Sequence, residues 1–408
     1  MSPVPRALLL LALLIVCLGL GAQEPVTPPR AMPPSAKKGH DPAKLTVPQR
    51  NTYLSAQRGM EWLHKANKPD GRFVYGFLPA LRLPMEGDDF VHQAGAAFAL
   101  GRCARFFDDE RAGAIARQAV LTLLLETTLD PKDKNVRYSA APPHLVNRAA
   151  ATAFLTLAVH DLPAPGPDLL EQADQMANYL RSLVNADGSV RVVEGESKID
   201  AEQPYAGAVL YALARSHAAR PAPWKVDLLR KACPACLTAW TKARSLPMVP
   251  WHTAACVEAY AQTKEKAFAD CVFALNDWLC EQQYTRADPG RGHWLGGFMP
   301  WRDGHVVAAT PDIASAEAAF SLAQACRLAR ASGDASRLAR YQKALESSLY
   351  FLNTLQYTDA GVQHFADWFR PAILGAFHAS PQDGNIRIDY AQNALLAQVA
   401  YLSQVLDW

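Results

Sequence analysis

The sequence lacks a strong excess of either charge. Its 408 residues include 41 Lys and Arg against 39 Asp and Glu, which gives a formal net charge of +2. The two signs are interspersed, without the basic stripe of a nucleic-acid-binding surface or the charge block of a membrane-surface segment. We therefore expect no nucleic-acid partner.

Several motifs of metal binding and catalysis are also absent from the sequence. The 11 histidines are scattered, and no His-x-x-x-His pair or Cys/His cluster has ligand spacing. No Gly-x-Ser-x-Gly surrounds a serine nucleophile, and no Gly-rich phosphate loop is present. We expect neither a bound metal nor a cofactor.

One long apolar run stands near the N-terminus. Residues 7–20 are almost all apolar and are followed by Gly21-Ala22. This is the outline of a signal peptide over residues 1–22, and the run is short for a membrane span. Because Val precedes Cys17, the site fits a lipoprotein signal poorly. We expect export to the periplasm or the extracellular space, with no lipid anchor at Cys17 and no membrane span after cleavage.

Residues 23–48 contain seven prolines and have no periodic apolar pattern. Proline fixes the φ angle and lacks an N–H donor. The composition predicts a flexible linker over 23–48, followed by a folded domain over 49–408.

Cysteine is sparse, with eight residues in all and seven after residue 22. An odd number in an exported chain leaves at least one thiol unpaired. Most of these cysteines lie in apolar helical patterns, where Cys behaves as a small buried hydrophobe. Cys233-Pro-Ala-Cys236 lies inside a helical run. A redox or metal dithiol, a local disulfide and packed thiols all stay open for this pair.

Two kinds of helical segment alternate along the rest of the chain. One kind has apolar residues at i, i+3, i+4 and i+7 with charges opposite. The other kind is rich in Ala and apolar nearly all round. Six polar loops each lead into a segment of the second kind, and these segments start at His92, Arg148, Tyr205, His252, Ala314 and Tyr390.

Six helical hairpins in a row predict a repeat architecture in which each hairpin stacks on the next. Helices that are apolar all round must be buried, so they would form an inner ring surrounded by the amphipathic set. We predict an all-α fold, an (α/α)6 toroid of six helical hairpins. An open α-solenoid is the alternative.

A degenerate motif of Gln, Asp-Gly and an aromatic or aliphatic residue follows four of the amphipathic segments. It occurs at Asp70-Gly71-Arg72-Phe73, at Asp187-Gly188-Ser189-Val190, between Gln282-Gln283 and Gly292-His293-Trp294, and between Gln356 and Asp359-Ala360-Gly361-Val362. The motif and the hairpin pattern resemble the α/α toroids of the terpenoid cyclase and protein prenyltransferase superfamily. The pattern also resembles the six-hairpin glycosidase and sugar-epimerase superfamily.

These resemblances imply a toroid and different activities. The Asp-rich motifs of terpene cyclases and the zinc ligands of prenyltransferases cannot be placed in this sequence. The second superfamily is commonly exported and acts on glycans, so the expected location favours it. Fold alone does not give function.

If the toroid is right, the N-termini of the inner helices meet at one mouth, together with the long outer-to-inner loops. Loops of this length are usually functional or disordered, and these carry aromatic residues. The catalytic candidates at this mouth are Asp89, His92, His252, Asp389 and Tyr390. The substrate-binding candidates are Arg148, Tyr205, Trp294, Trp301, Asp312, Trp368 and Gln392.

Two classes of function follow from these residues. Glycoside hydrolysis would need two carboxylates across the mouth, from Asp88 or Asp89 and from Asp312 or Asp389. An epimerase or lyase would use His or Tyr to remove a sugar-ring proton. The alternative is a non-catalytic toroid that binds a glycan or a protein, in which these Asp residues serve only as helix caps.

Overall fold

The computed structural model describes residues 41–142, 146–193, 205–285 and 290–406. The predicted signal peptide and most of the predicted linker lie outside the described residues. A 3₁₀ turn at Pro42–Lys44 precedes the first helix, whose start is capped by a hydrogen bond from the Thr46 N–H to the Gln49 side chain. Leu45 is buried, so ordered packing starts a few residues before the predicted boundary at residue 49.

Outer and inner helices alternate in the described part of the chain, as the sequence predicts. The outer helices are α1 (Val47–Ala66), α3 (Glu110–Leu125), α5 (Pro167–Ser182), α7 (Pro223–Lys242), α9 (Lys266–Glu281) and α11 (Ala335–Thr354). The inner helices are α2 (Phe90–Phe107), α4 (Arg148–Asp161), α6 (Tyr205–Ala219), α8 (Val249–Thr263), α10 (Ser315–Ser332) and α13 (Ile388–Ala400).

The inner helices form a closed ring. Helix α2 packs on α4, α4 on α6, α6 on α8, α8 on α10, α10 on α13, and α13 again on α2. An open solenoid would leave its first and last inner helices apart. The (α/α)6 toroid is therefore confirmed, and the open α-solenoid is wrong.

Small residues allow the inner helices to approach one another closely. A Cβ on Gly95 of α2 would lie 1.9 Å from Oε1 of Gln392 on α13. Helix α4 is buried from Ala149 to Asp161, on all its faces. Although the inner set is this apolar, no helix among the described residues is long and apolar enough to cross a membrane.

The connections differ at the two ends of the ring. Inner-to-outer turns such as 108–109, 264–265 and 333–334 are short, whereas outer-to-inner segments such as 67–89 and 355–387 are long. The long segments carry short antiparallel strands and one short helix. These are β1 (Gly76–Leu78), β2 (Leu83–Pro84), β3 (Thr127–Leu129), β4 (Arg137–Ser139), β5 (Trp301–Arg302), β6 (His305–Val306), α12 (Arg370–Ile373), β7 (His378–Ser380) and β8 (Asp383–Arg387).

Two glutamines tie neighbouring outer helices together. Gln283, just after α9, donates from Nε2 to the carbonyls of Gly296 (2.9 Å) and Ala344 on α11 (2.8 Å). Gln356, just after α11, does the same to Gly375 (2.9 Å) and to Ser55 on α1 (2.9 Å). We call each arrangement a glutamine clasp, because one amide holds its own loop and the next outer helix.

The structure corrects part of the predicted Gln-to-aromatic motif. After Asn67, the predicted Gly71 and Phe73 do form the turn, and Asn67 pairs with Phe73. After Gln283 and Gln356, the partner residues are Phe298 and Phe377. The predicted Trp294 and Val362 are not these partners. In both loops, more residues separate the Gln from the aromatic residue that pairs with it. The Gln-to-aromatic spacing is therefore longer in the last two hairpins.

The Gln356 clasp is part of a seam that joins the last hairpin to the first. Strand β8, which leads into α13, pairs with β1, which follows α1, so that Gly76 lies opposite Arg387. Trp62 of α1 donates from Nε1 to the carbonyl of Ala372 (2.9 Å). We call this joint between residues 52–92 and 353–398 the closing seam.

We predict that Gly375→Ala strongly destabilises the fold. Gly375 has a φ of +93°, and a Cβ there would lie 2.4 Å from the carbonyl oxygen of Arg58 on α1. A positive φ costs an L-residue about 1–2 kcal/mol, and overpacking adds roughly 1–3 kcal/mol. Chemical denaturation of both proteins measures the loss.

Gly333→Ala is the matched control. Gly333 has a φ of +76° at the end of α10, and nothing lies within 4 Å of its Cβ position. This variant should lose only the first of the two contributions. Equal losses in the two variants would show that the contact with α1 does not matter.

Candidate functional site

A group of polar side chains meets at the mouth, where the inner helices begin. The closing seam supplies most of them, from the segment before β1, from α2, and from the junction of β8 with α13. Helix α10 supplies one more. We call this group the mouth cluster, and it consists of Tyr75, His92, Glu317, Arg387, Asp389 and Tyr390.

Asp389 is held by an arginine two residues earlier. Arg387 donates from Nε to Oδ1 of Asp389 at 2.8 Å and from Nη2 to Oδ2. The side chain of Asp389 makes no capping bond to the first turn of α13, whose cap residue is Arg387. A planar two-point contact of this kind fixes the carboxylate in position. Asp389 is therefore a positioned charge at the mouth and does not serve as a helix cap.

His92 lies on the other side of this carboxylate. Its Nε2 is 3.9 Å from Oδ2 of Asp389, and its Nδ1 is 3.1 Å from the hydroxyl of Tyr75. The rings of Tyr75 and His92 stack with centroids 5.8 Å apart. The pairing of β1 with β8 explains this arrangement, because the carbonyl of Tyr75 accepts from the N–H of Ile388 at the start of α13.

Tyrosine rings flank the guanidinium of Arg387. The guanidinium carbon lies 4.7 Å from the ring centroid of Tyr390 and 5.9 Å from that of Tyr75. Burial raises the pKa of Tyr390 to about 12. Tyr390 therefore keeps its proton at neutral pH and can donate a hydrogen bond to a ligand.

Glu317 completes the cluster and was not among the residues predicted from the sequence. It lies in the first turn of α10 and accepts a hydrogen bond from Nδ2 of Asn393 at 3.1 Å. Burial, followed by the negative charge of Asp389, raises the pKa of Glu317 from 4.5 to about 7. The mouth thus holds two carboxyl groups in different environments. Asp389 is paired with Arg387, whereas Glu317 is bound by the amide of Asn393.

A detectable signal for Glu317 was present in the sequence. The start of α10 reads Ser315-Ala-Glu-Ala-Ala-Phe320, where one acid stands alone among small apolar residues. A lone carboxyl group in a buried stretch is costly unless it is paired or neutral. The predicted candidates included Asp312, just before this helix, but not Glu317 in its first turn.

The other acidic candidates make local hydrogen bonds and ion pairs near the starts of the inner helices. Asp89 accepts the N–H of His92 at 3.0 Å and is the N-cap of α2. Asp312 accepts the N–H of Ala314 at 2.9 Å, and burial raises its pKa. Asp88 binds Arg72 and the side chain of Gln93. These contacts are those of helix starts and loop anchors.

His252 is not brought to the mouth cluster. It is 3% exposed, and its Nδ1 lies 2.7 Å from the carbonyl of Met248 one turn earlier. Burial lowers its pKa to about 4. His252 therefore lies in the core, whereas His92 is half-buried at the mouth.

The remaining polar candidates line the wall of the ring. Arg148 donates to the carbonyl of Ala141 at 3.2 Å and lies over the ring of Tyr138. Tyr205 is half-buried at the first position of α6. Gln392 is buried against Gly95 and donates to the side chain of Asn393 at 3.2 Å. Gln392 therefore connects indirectly to Glu317 through Asn393.

The three predicted tryptophans have different surroundings. Trp294 is half-buried against Tyr284, with ring centroids 5.1 Å apart. Trp301 lies in β5 and pairs with Val306. Trp368 is 70% exposed and forms a T-shaped pair with Phe369. Most of Trp368 is thus open to solvent, whereas Trp294 packs against its own loop.

Aromatic rings fill the bore of the toroid. Trp251 lies 5.0 Å from Phe154, 5.5 Å from Phe320 and 6.2 Å from Tyr211, measured between ring centroids. These rings come from four different inner helices, and Phe320 lies about one turn beyond Glu317. The aromatic cluster therefore gives the mouth a floor. Among the described residues, no group of three or more His, Cys, Asp or Glu is arranged to hold a metal ion.

The raised pKa of Glu317 predicts a pH-dependent stability. Between pH 4.5 and about 7 the folded protein keeps a proton that the unfolded chain has released. The free energy of unfolding should therefore fall as pH rises through this window, by at most about 3 kcal/mol from this group. Glu317→Gln removes this titration and keeps a similar shape. Its melting temperature relative to the wild type should rise between pH 5 and pH 8.

Thermal unfolding of both proteins at several pH values measures this difference. The buried histidines His160 and His252 have lowered pKa values and therefore weaken the fold in acid. They are present in both proteins, so their effect cancels in the comparison. A difference in melting temperature that does not change with pH would contradict the raised pKa.

Comparisons with known proteins support the fold. No family model matches the chain, and no curated protein matches it in sequence. Among solved structures, it is similar to a D-mannose isomerase, with a TM-score of 0.61, 13% identity and coverage of 88% of this chain and 99% of that chain. It is also similar to the GH76A α-1,6-mannanase from Salegentibacter sp. HEL1_6, with a TM-score of 0.58, 10% identity and coverage of 86% and 98%.

A third similar structure is a type II terpene cyclase from Scytonema in complex with geranylgeranyl dihydroxybenzoate. The TM-score is 0.51, the identity is 13%, and 88% of this chain and 99% of that chain are covered. Both superfamilies suggested by the sequence are thus represented among the similar structures. At this level of identity the comparison establishes the α/α-toroid fold.

Proposed function

We propose that this protein hydrolyses glycosidic bonds at the mouth cluster. The observation that carries the proposal is the pair formed by Glu317 and Asp389. The negative charge of Asp389 contributes to raising the pKa of Glu317 to about 7. Glycoside hydrolysis commonly uses two carboxyl groups with different roles, one of which gives a proton to the leaving oxygen. Two of the similar structures, an isomerase of D-mannose and an α-1,6-mannanase, act on sugars.

Glu317 takes the role of general acid. With a pKa of about 7 it still holds its proton at neutral and mildly acidic pH. It can give that proton to the leaving oxygen of the glycosidic bond. The hydrogen bond from Asn393 orients the carboxyl group while this happens.

Asp389 stabilises positive charge in the transition state, and His92 is the general base. Arg387 binds both oxygens of Asp389, which positions the carboxylate. Its charge can stabilise the oxocarbenium-like transition state. His92, 3.9 Å from that carboxylate, is placed to take the proton of an attacking water.

Aromatic and hydroxyl groups provide the binding surface. Tyr75 and Tyr390 flank Arg387 inside the cluster, and Trp368 is exposed on the long loop before α13. Rings of this kind stack on sugar faces, while tyrosine hydroxyls bond to sugar hydroxyls. The proposed ligand is an oligosaccharide or a polysaccharide.

The same proposal includes export of the protein. Residues 1–22 have the sequence pattern of a signal peptide, and the seven prolines of 23–48 suit a flexible linker. A toroid acting on glycans outside the cytoplasm would use such a layout.

The second candidate function is a non-catalytic toroid that binds a glycan or a protein partner, and the large exposed side chain of Trp368 favours it.

We predict that Glu317→Gln abolishes turnover. The protein is incubated with neutral and acidic oligosaccharides, and released reducing ends are measured by anion-exchange chromatography. Loss of a general acid typically lowers the rate by about 10²–10⁴-fold. In the wild type the rate should fall above pH 7, as Glu317 loses its proton.

Glu171→Gln, an exposed acid on α5, is the control and should keep full activity. Calorimetric binding with the same glycans separates the two candidate functions. Binding without release of reducing ends would favour the non-catalytic toroid. If no glycan binds to the folded protein, the proposal fails and a protein partner becomes the better explanation.

A further inference from the structure

A network of charged side chains lies toward the carboxyl ends of the inner helices, at the end of the bore opposite the mouth. Five inner helices contribute four arginines and two acids to it. We call this group the arginine cluster, and it consists of Arg102 and Arg105 on α2, Asp161 on α4, Arg215 on α6, Glu258 on α8 and Arg327 on α10. The proposed hydrolysis at the mouth uses none of these residues.

Asp161 is the centre of the arginine cluster. Its Oδ2 accepts from Nη2 of Arg102 at 3.1 Å, and its Oδ1 accepts from Nη1 of Arg105 at 3.4 Å and from Nη2 of Arg215 at 3.3 Å. One carboxylate therefore holds three guanidinium groups in place. Its single negative charge balances only one of them.

Glu258 extends the network to α10. Its Oε2 accepts from Nη1 of Arg327 at 3.1 Å, and its Oε1 lies 3.8 Å from Nη1 of Arg215. The arginine cluster as a whole contains four guanidinium groups and two carboxylates, so positive charge is in excess. The dipoles of the inner helices, whose carboxyl ends are negative, offset part of this excess. A helix dipole does not, however, give each N–H group an acceptor.

Two buried N–H groups of the arginine cluster have no hydrogen-bond partner among the described residues. They are Nη1 of Arg102 and Nε of Arg215. On the other terminal nitrogen of Arg102, Nη2 donates to Asp161 and also to the hydroxyl of Tyr211 at 2.9 Å. Arginine can only donate, and a buried donor without a partner is costly. Both groups therefore need an acceptor that these parts of the chain do not supply.

The arginine cluster lies behind the aromatic floor of the mouth and is open to solvent on its other side. The guanidinium carbon of Arg102 is 6.0 Å from the ring centroid of Phe320, which belongs to that floor. The side chains of Arg105 and Arg327 are each 33% exposed, whereas those of Arg102 and Arg215 are 11% and 16% exposed. Two arginines thus form a rim, and two lie deeper in the bore.

We propose that the arginine cluster binds a small oxyanion with two negative charges, either inorganic phosphate or the phosphate group of a larger solute. Two negative charges balance the excess of guanidinium groups over carboxylates. Guanidinium groups donate paired, charge-assisted hydrogen bonds that match the oxygens of phosphate. The oxyanion enters past the rim, accepts from the two unpaired N–H groups of Arg102 and Arg215, and links α2 to α6 at this end of the ring.

The test is a calorimetric titration of the full chain with inorganic phosphate, in which sodium chloride keeps the ionic strength constant. We expect one phosphate to bind per chain, and the melting temperature to rise by a few degrees as phosphate saturates the site. A parallel titration with glucose 1-phosphate separates the two sources, because tighter binding of this compound would indicate a phosphate group carried by a larger solute. If neither compound binds, or if sodium chloride alone raises the melting temperature equally, the proposal is overturned.

Arg105→Gln tests the rim of the site. The variant removes one guanidinium group, while Asp161 keeps its bonds to Arg102 and Arg215, so the fold should survive. Phosphate binding should weaken about tenfold or more, because a hydrogen bond to a charged group is lost. The matched control is Arg230→Gln on the outer helix α7, where the arginine also pairs with carboxylates, and this variant should bind phosphate as the wild type does.

Glu258→Gln separates an anion site from a purely structural network. The variant removes a negative charge that competes with the oxyanion for Arg215 and Arg327. Phosphate should therefore bind more tightly to it than to the wild type. Unchanged phosphate affinity in both Arg105→Gln and Glu258→Gln would overturn the proposal, and the wild-type titration decides the matter if Glu258→Gln does not fold. These measurements need no glycan, so their outcome is independent of the proposed hydrolysis.

Discussion

The side-chain amide of Gln356 closes this fold. It donates to the carbonyl of Gly375 in its own loop and to the carbonyl of Ser55 on α1, which lies 301 residues away in the sequence. Its partner on the outer ring, Gln283, makes the same contacts one hairpin earlier. Buried carbonyls that lose such a donor cost about 1–3 kcal/mol each. The ring is therefore closed by specific hydrogen bonds as well as by apolar packing.

The proposed site depends on that closure. Tyr75 and His92 belong to the first hairpin, and Arg387 and Asp389 belong to the last. They meet because β1 pairs with β8 across the closing seam. Glu317 reaches the same place from α10, and its raised pKa arises from burial and from the charge of Asp389. The electrostatics of the mouth are thus a product of the ring and are not encoded in any one hairpin.

The sequence predicted local features better than features that span the ring. The helix pairs could be read because the inner helices are apolar on every face and the outer ones on a single stripe. Asp389 and His92 could be selected because they stand at helix starts. Glu317 also lies in a first turn, but its raised pKa comes from burial and from Asp389 on α13, and the contact of α13 with α10 cannot be derived from the local sequence.

The pKa of Glu317 is the quantity on which the functional account depends most directly. It can be measured by ¹³C NMR of the side-chain carboxyl groups, with Glu317→Gln used to assign the resonance. The account predicts a titration midpoint near pH 7. A midpoint near the ordinary value of 4.5 would mean that Glu317 is ionised at neutral pH, and the mouth would then have no general acid.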